Sequence, residues 1–511
     1  MTVPQNANLY ALLESKMQSA GDAPAFEFED GTLVSYADLL GEISHAAAAL
    51  RALGVSPGDR VMAQVEKSIA NIALYLATLK IGAIFNPLNT AYTAAEVEYF
   101  IGDAEPAVIV ASRKSAARIE PAADRSGVRA VLTMEPDGSG SFTELARKQR
   151  PFKGIIKRAP DDLAALLYTS GTTGRSKGAM ITHRNLSSNA KTLIGYWDFR
   201  RGDVLLHALP TFHVHGLFVA LHTAILNRSK MLWLPKFEID SVVRLLPQAT
   251  VIMGVPTFYT RLLTYPGFGA KHCRNLRLAI SGSAPLLPET HAEFRARTGH
   301  SVLERYGMTE AQMITSNPCK GGKRLAGSVG YPLPRISVRI ADSEGRALPP
   351  GKVGVLEVKG PNVFKGYWRN PEKTREEFRK DGYFISGDLA KMSKDGRVTI
   401  VGRAKDLIIS GGFNVYPKEI EGELNSLPGI SESAVVGVPH PDFGEGIIAV
   451  ITSLPGKSVP SESDIIKLLG KRLAKFKLPK RIFVTDELPR NAMGKVQKND
   501  ISARYRGIFL T

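Results

Sequence analysis

The stretch ALLYTSGTTGRSKGAM, Ala165 to Met180, passes from an apolar segment into a cluster of Gly, Ser and Thr and then to a single lysine. The apolar part reads as a strand that delivers the cluster to a sheet edge. Gly171, Gly174 and Gly178 let the backbone turn tightly and approach a ligand closely. Thr169, Ser170, Thr172, Thr173 and Ser176 offer hydroxyls, and Lys177 offers a cation. Backbone N–H groups, hydroxyls and one lysine together form a cradle suited to phosphates. The spacing is not that of a P-loop, because no Gly-Lys-Ser/Thr ending falls where that motif needs one. A nucleotide is expected here, held without the usual NTPase machinery.

Around this stretch, strand-like runs alternate with amphipathic helical patterns, which argues for α/β layers. VMAQV (61–65), AVIVA (107–111) and AVLTM (130–134) read as strands; 35–53 and 70–81 read as helices. From about Ser337 short runs separated by Gly, Pro and Asp turns suggest a small β-rich subdomain. After Gly402 the chain carries strands and helices of its own, including a predicted helix over 465–476, so a domain boundary is placed there.

The chain has 511 residues, too many for one ordinary core, and is 44% hydrophobic and 23% charged, the balance of a soluble protein. Its best candidate for a membrane span, 73–86, is short and broken by Lys80. The first residues lack a basic start and an apolar signal core. Cys273 and Cys319 are too few for a disulfide framework. A cytoplasmic protein is expected, with no membrane partner. The net charge of +17 admits nucleic acid, an anionic surface or polyanionic small substrates. KRLAKFKLPKRIF (471–483) is the densest basic stretch; it reads first as a solvated helix face and second as a site for phosphates. No aromatic-flanked basic sheet motif or zinc spacing accompanies it, so no nucleic-acid partner is expected.

Four further segments complete a reaction. ERYGMTE (304–310) sets Tyr306, Thr309 and Glu310 within a short turn, an aromatic for adenine and a carboxylate for Mg2+ against phosphates. YFISGDLAK (383–391) places Asp388 at a strand end, suited to ribose hydroxyls. GRAKDLIISGGFNVYPKEIE (402–421) carries Arg403 and a Gly-Gly pair, and LPRNAMGKVQKN (488–499) presents Lys495 on a turn.

YTSGTTGRSKG, YGMTE, SGD, GRAKD and the GK of NAMGK, taken in this order, resemble the acyl-adenylate-forming superfamily over nearly the whole chain. The resemblance implies an N-terminal domain, residues 1–404, of two β-sheet subdomains with flanking helices plus a β-barrel. A small mobile α+β domain, residues 405–511, would follow a hinge at Lys405. It implies an acid that attacks the α-phosphate of ATP and a thiol, that of coenzyme A, that then displaces AMP. By the same resemblance Lys495 bridges the reacting groups, with Glu310 and Thr309 beside it. Thr172, Thr173, Ser176 and Lys177, with the backbone of Thr169, Ser170, Gly171 and Gly174, hold the β- and γ-phosphates. Mg2+ falls to Glu310 and Thr173, and the ribose to Asp388 and Arg403. Tyr306, Gly307, Gly282 and Ser283 flank adenine or acyl group. Gly411 and Gly412 line the thiol tunnel. Position also makes Lys495 a target for a lysine acyltransferase, since acylation removes the charge that adenylation needs.

PTFHVHGL (210–217) and GVPTFYTRLL (254–263) are expected to wall the acyl pocket, with His213, Ser283 and Met308 in it. Arg261 is either exposed on a helix or turned inward. If inward, a buried guanidinium demands an anion, which a second carboxylate on the substrate supplies. With HVHGL, SGSAPLL and LERYGMTE this stretch is similar to the malonyl-CoA synthetases of the superfamily. That implies malonate, with methylmalonate tolerated. The rivals are a ligase for a small, fatty or coumarate-like monoacid and a stand-alone adenylation module loading a carrier protein. KMSKDG (391–396) resembles a signature of class I aminoacyl-tRNA synthetases, but between two strand-like runs it reads better as a hairpin turn.

Overall fold

The hairpin at the opening stretch forms the edge of a six-stranded sheet in the computed structural model, which describes residues 6–169, 176–411, 413–491 and 494–510. In spatial order the strands are Ala130–Thr133, Val108–Ala111, Arg60–Gln64, Ile84–Pro87, Leu163–Thr169 and Lys177–Thr182. The first five run parallel, and the last turns back antiparallel with Thr169 opposite Lys177. Between strands lie the expected helices Tyr36–Ala52, opened by a Ser35/Asp38 capping box, and Ile69–Lys80. Every residue from Asn71 to Lys80 is buried, and the ammonium of Lys80 sits 2.8 Å from Glu14. The apolar run weighed above as a membrane span therefore holds a core helix. Among the described residues no helix is long and apolar enough to cross a membrane.

A second sheet has nine strands. Its parallel centre is made of Leu303–Met308, Leu278–Ser281, Val251–Gly254, Val204–His207, Lys230–Trp233 and Pro24–Glu27. One apolar core runs through both sheets, with Trp197, Trp233, Tyr75 and Phe218 buried in it. Ligands of open α/β sheets bind beyond the carboxyl ends of parallel strands. Those ends here lead into His213, Thr257, Ser283 and Met308.

The β-rich segment is a four-stranded antiparallel meander, Ser337–Ala341, Val353–Lys359, Phe384–Met392 and Val398–Arg403. KMSKDG falls on the turn between the last two strands, where Ser393 and Arg397 exchange a backbone hydrogen bond, so the hairpin reading holds. Residues beyond 405 build a separate five-stranded sheet with its own apolar clusters around Ile420, Val435 and Ile448. The helix expected over 465–476 is Glu462–Leu469 and stops at Gly470. The basic stretch that follows is no helix face. It is a turn, a single 3-10 turn at Lys475–Lys477, and the strand Arg481–Val484. Pro479, which cannot continue a helix, separates the last two.

Candidate active site

Three corners meet above the strand ends. The first belongs to the phosphate hairpin. Ser170, Gly171, Thr172, Thr173 and Gly174 lie outside the described residues, as does Gly412. The stems are defined. Thr169 donates its hydroxyl to Oε1 of Glu310 at 3.2 Å. Glu310 is buried in the turn after Leu303–Met308, and burial raises its carboxyl above the usual range. Lys177 is not aimed outward as the phosphate reading expects. Its side chain is 9% exposed, with the ammonium 3.5 Å from Oε1 of Glu377 and over the ring of Tyr367.

The second corner is the ribose site. Asp388 and Arg403 face each other across two strands and form an ion pair of 2.8 Å. The Tyr306 hydroxyl donates to the other oxygen of Asp388. Asp388 is nearly buried, and a carboxylate with two such partners keeps acceptor capacity for ribose hydroxyls. Gly307 is obligatory here, because a Cβ would stand 2.0 Å from the carbonyl of Gln312. Thr309 and Met308 are half-buried in the adjoining turn.

Lys495 enters this corner from the C-terminal sheet. A bridge between Arg490 and Val496 and the bond from its own N–H to Asn491 shape its turn. A side chain on Gly494 would meet Thr257 at 3.5 Å, so the turn lies against the helix Pro256–Thr264. Lys495 is exposed at the edge of this corner. Desolvation and then the Arg403 charge lower its pKa, against Asp388 and Asp406. Lys405 is exposed on the 3-10 turn Ala404–Asp406. Gly411 donates its N–H to Phe443 within the C-terminal sheet.

Lys418 also crosses between the sheets, giving its ammonium to the carbonyl of Ile400 at 2.8 Å. Glu304 is the largest of the negative charges acting on it. Burial pushes the Glu304 carboxyl up to about 7, against the N–H donated by Gly327 at 3.1 Å. A carboxyl raised in the fold contributes stability that is full in acid and lost as pH climbs toward that value. Glu304→Gln removes the loss. Its melting temperature is expected to gain on the parent's from about pH 5 to about pH 8, read by scanning calorimetry. A constant offset would show that Glu304 does not titrate in this window.

The third corner corrects the sequence reading. Arg261 is exposed on Pro256–Thr264, where its charge acts on Glu238, and it is not the buried guanidinium expected of it. That group is Arg305. It is 3% exposed, and among the described residues its Nε and Nη2 have no hydrogen-bond partner. It lies directly beneath Gly282, where a Cβ would come within 2.4 Å of the guanidinium carbon. Burial lowers its pKa to about 9. Burial and the Arg305 charge drive His213 down to about 4 and His215 well below its usual value, so both imidazoles are neutral. The backbone N–H of His215 donates to His213 Nδ1 at 3.3 Å, and the ring Nδ1 of His215 is 3.4 Å from the Ser283 hydroxyl. Ser283 has φ of +72°, a strained value for a residue with a Cβ. A buried cation with two idle donors, ringed by neutral polar groups, lacks one thing, an anion.

Sequence reasoning missed Arg305, Tyr367, Glu377 and Lys418. A signal for Arg305 exists. A charged pair, Glu304 and Arg305, stands in the middle of a strand buried on both faces, where a charge needs a partner or a ligand.

Residues 13–368 match the AMP-binding enzyme family and residues 419–495 match the AMP-binding enzyme C-terminal domain. A mitochondrial malonate–CoA ligase of Mus musculus is 36% identical, over 87% of this chain and 81% of its own. A feruloyl-CoA synthase of Amycolatopsis sp is 34% identical, over 93% and 94%. The crystal structure of ATP-bound MatB from Rhodopseudomonas palustris is 52% identical, covers 99% of this chain and 100% of its own, and superposes with a TM-score of 0.95. Apo MatB, with the same identity and coverage, gives 0.85, so the arrangement here is nearer the ATP-bound one. With its motifs gathered at one cleft and its length matched almost throughout, the chain belongs to the AMP-binding enzyme family, the acyl-adenylate-forming superfamily.

Proposed function

We propose that this chain is an AMP-forming acid–CoA ligase. It converts malonate, ATP and CoA to malonyl-CoA, AMP and pyrophosphate through a malonyl-adenylate, with methylmalonate accepted. The observation that carries the malonate reading is Arg305, buried beside His213, His215 and Ser283 with two donors unpaired. A diacid brings two carboxylates. One reacts, and the other gives the guanidinium its anion, which a bidentate pair does best. A monoacid leaves that cation uncompensated. The relative named for malonate at 36% identity supports the same reading.

In the first half-reaction a carboxylate oxygen attacks the α-phosphorus, and the bond to pyrophosphate breaks. Lys495 stands between the two anions and offsets the charge they bring together. Asp388 and Arg403 hold the ribose, and Tyr306 and Gly307 border the adenine. Ser170, Gly171, Thr172, Thr173 and Gly174 take the phosphates. Glu310 and Thr173 would hold Mg2+. One buried carboxylate at the hairpin base suits an ion that completes its shell from phosphates and neutralises them. Among the described residues no cluster of three acidic, His or Cys side chains offers another site. In the second half-reaction the CoA sulfur attacks the acyl carbon and AMP departs. Residues 405–511 turn about Lys405, which withdraws Lys495 and brings Gly411 and Gly412 to the tunnel. Cys273 and Cys319 are both unpaired thiols, in keeping with the cytoplasm.

Exchange of labelled pyrophosphate into ATP, measured without CoA, tests this reading. Malonate is expected to drive exchange far faster than acetate or ferulate. Equal exchange with the monoacids would remove the diacid argument, and none with any acid would remove the adenylate.

A further inference from the structure

Both stems of the phosphate hairpin end on one half-buried chain of polar groups. Thr169 and Lys177 are paired across its base. Thr169 reaches Glu310 Oε1 at 3.2 Å, and Lys177 reaches Glu377 Oε1 at 3.5 Å. The hydroxyl of Tyr367 closes the ring between the two carboxylates, 2.6 Å from Glu377 Oε2 and 3.3 Å from Glu310 Oε1. Lys373 adds a second cation to Glu377 at 3.2 Å. The backbone holds Tyr367 in this place. Gly366 accepts from Met180, Trp368 donates to Gly178, and Phe364 donates to the carbonyl of Glu310. Glu377 is the last residue of the helix Pro371–Glu377.

The phenol has one proton and two carboxylates in reach, so it can donate to only one at a time. The shorter bond gives it to Glu377, which two lysines also hold. Oε1 of Glu310 then keeps the Thr169 hydroxyl as its near donor. Thr169 thus sets the direction of Glu310, and Lys177 is fixed without reaching into the cleft.

We propose that Tyr367 and Glu377 are positioning residues for nucleotide binding. Tyr367 holds Glu377 on Lys177, and the hairpin stem fixed in this way keeps the hydroxyl of Thr169, the cross-strand partner of Lys177, on the Glu310 carboxylate that receives the metal-bearing triphosphate. The inference rests on the adenylate reading only in that the ligand is MgATP.

The test is isothermal titration calorimetry of MgATP into the full chain, with no acid or CoA present. Tyr367→Phe keeps the ring over Lys177 and removes the hydroxyl. Its Kd is expected to rise about tenfold, the worth of one hydrogen bond to a charged group, and the half-saturating Mg2+ concentration is expected to rise with it. Glu377→Gln keeps an acceptor for the phenol and loses the charge on Lys177. It is expected to weaken MgATP as well, while the KM for the acid stays within about twofold. Unchanged Kd and Mg2+ dependence in both variants would overturn the proposal. So would a lowered melting temperature with Kd unmoved, since that is the result for residues that only support the fold. Binding is read apart from turnover, so failure of the parent to make malonyl-CoA would refute the malonate reading and leave this result standing.

Discussion

Replacing Arg305 with methionine is expected to lower kcat/KM for malonate by a hundredfold or more and to leave acetate turnover unchanged or raised. The side chain is buried and, among the described residues, two of its donors are without a partner, which makes a place for a carboxylate that the substrate brings. Removing one partner of a buried charge pair costs about 3 kcal/mol or more, which is at least on the order of a hundredfold. Methionine fills a similar volume without charge, so the pocket keeps its shape and becomes apolar. A monoacid then meets no uncompensated cation. Arg261→Ala is the control, since that side chain is exposed and an exposed charge on the rim contributes little. Steady-state kinetics with both acids read the result. Equal loss for malonate and acetate would mean that Arg305 supports the fold and does not select the acid.

Lys495→Ala separates the half-reactions. Adenylation is expected to fall by about two to three orders of magnitude, the usual effect of removing one group aimed at transition-state charge. Transfer from pre-formed malonyl-adenylate to CoA is expected to stay near the parent's rate, because the proposed rotation about Lys405 withdraws Lys495 before that step. The charges of Arg403 and Asp388, in the ribose corner, both act on its ammonium, and Thr257 lies against the turn that carries it. Pyrophosphate exchange reads the first step and malonyl-CoA formation from the adenylate reads the second. Equal loss in both would show that Lys495 serves binding and not the adenylation step.

Much of this site could be read from the chain because its parts are local. The hairpin stems, Tyr306 with Glu310, and Asp388 with Arg403 each sit in a short stretch whose residue types suit phosphate or ribose. The strands at Arg60–Gln64, Val108–Ala111 and Ala130–Thr133 were legible as apolar runs between turns. What failed needed three dimensions. Arg261 looked pocket-facing because Phe258, Tyr259, Leu262 and Leu263 surround it in sequence. Those four are buried on the helix face away from it. Arg305 drew no reading beside Tyr306, Thr309 and Glu310, and only the crossing of Gly282 over it shows where it points. Tyr367 and Glu377 carry no motif of their own. The place of Tyr367 is set by backbone bonds to a strand nearly two hundred residues earlier, and Glu377 meets the same strand through Lys177. The helix expected over 465–476 ended at Gly470 because a glycine is a poor helix continuer and the lysines behind it bury nothing.

The most direct test of the account is a competition. The purified chain is given ATP, Mg2+ and CoA with equal concentrations of malonate, acetate and ferulate, and the nucleotide and acyl-CoA products are weighed by mass spectrometry. AMP is expected, together with malonyl-CoA as the dominant thioester. ADP in place of AMP, or acetyl-CoA or feruloyl-CoA ahead of malonyl-CoA, would contradict it.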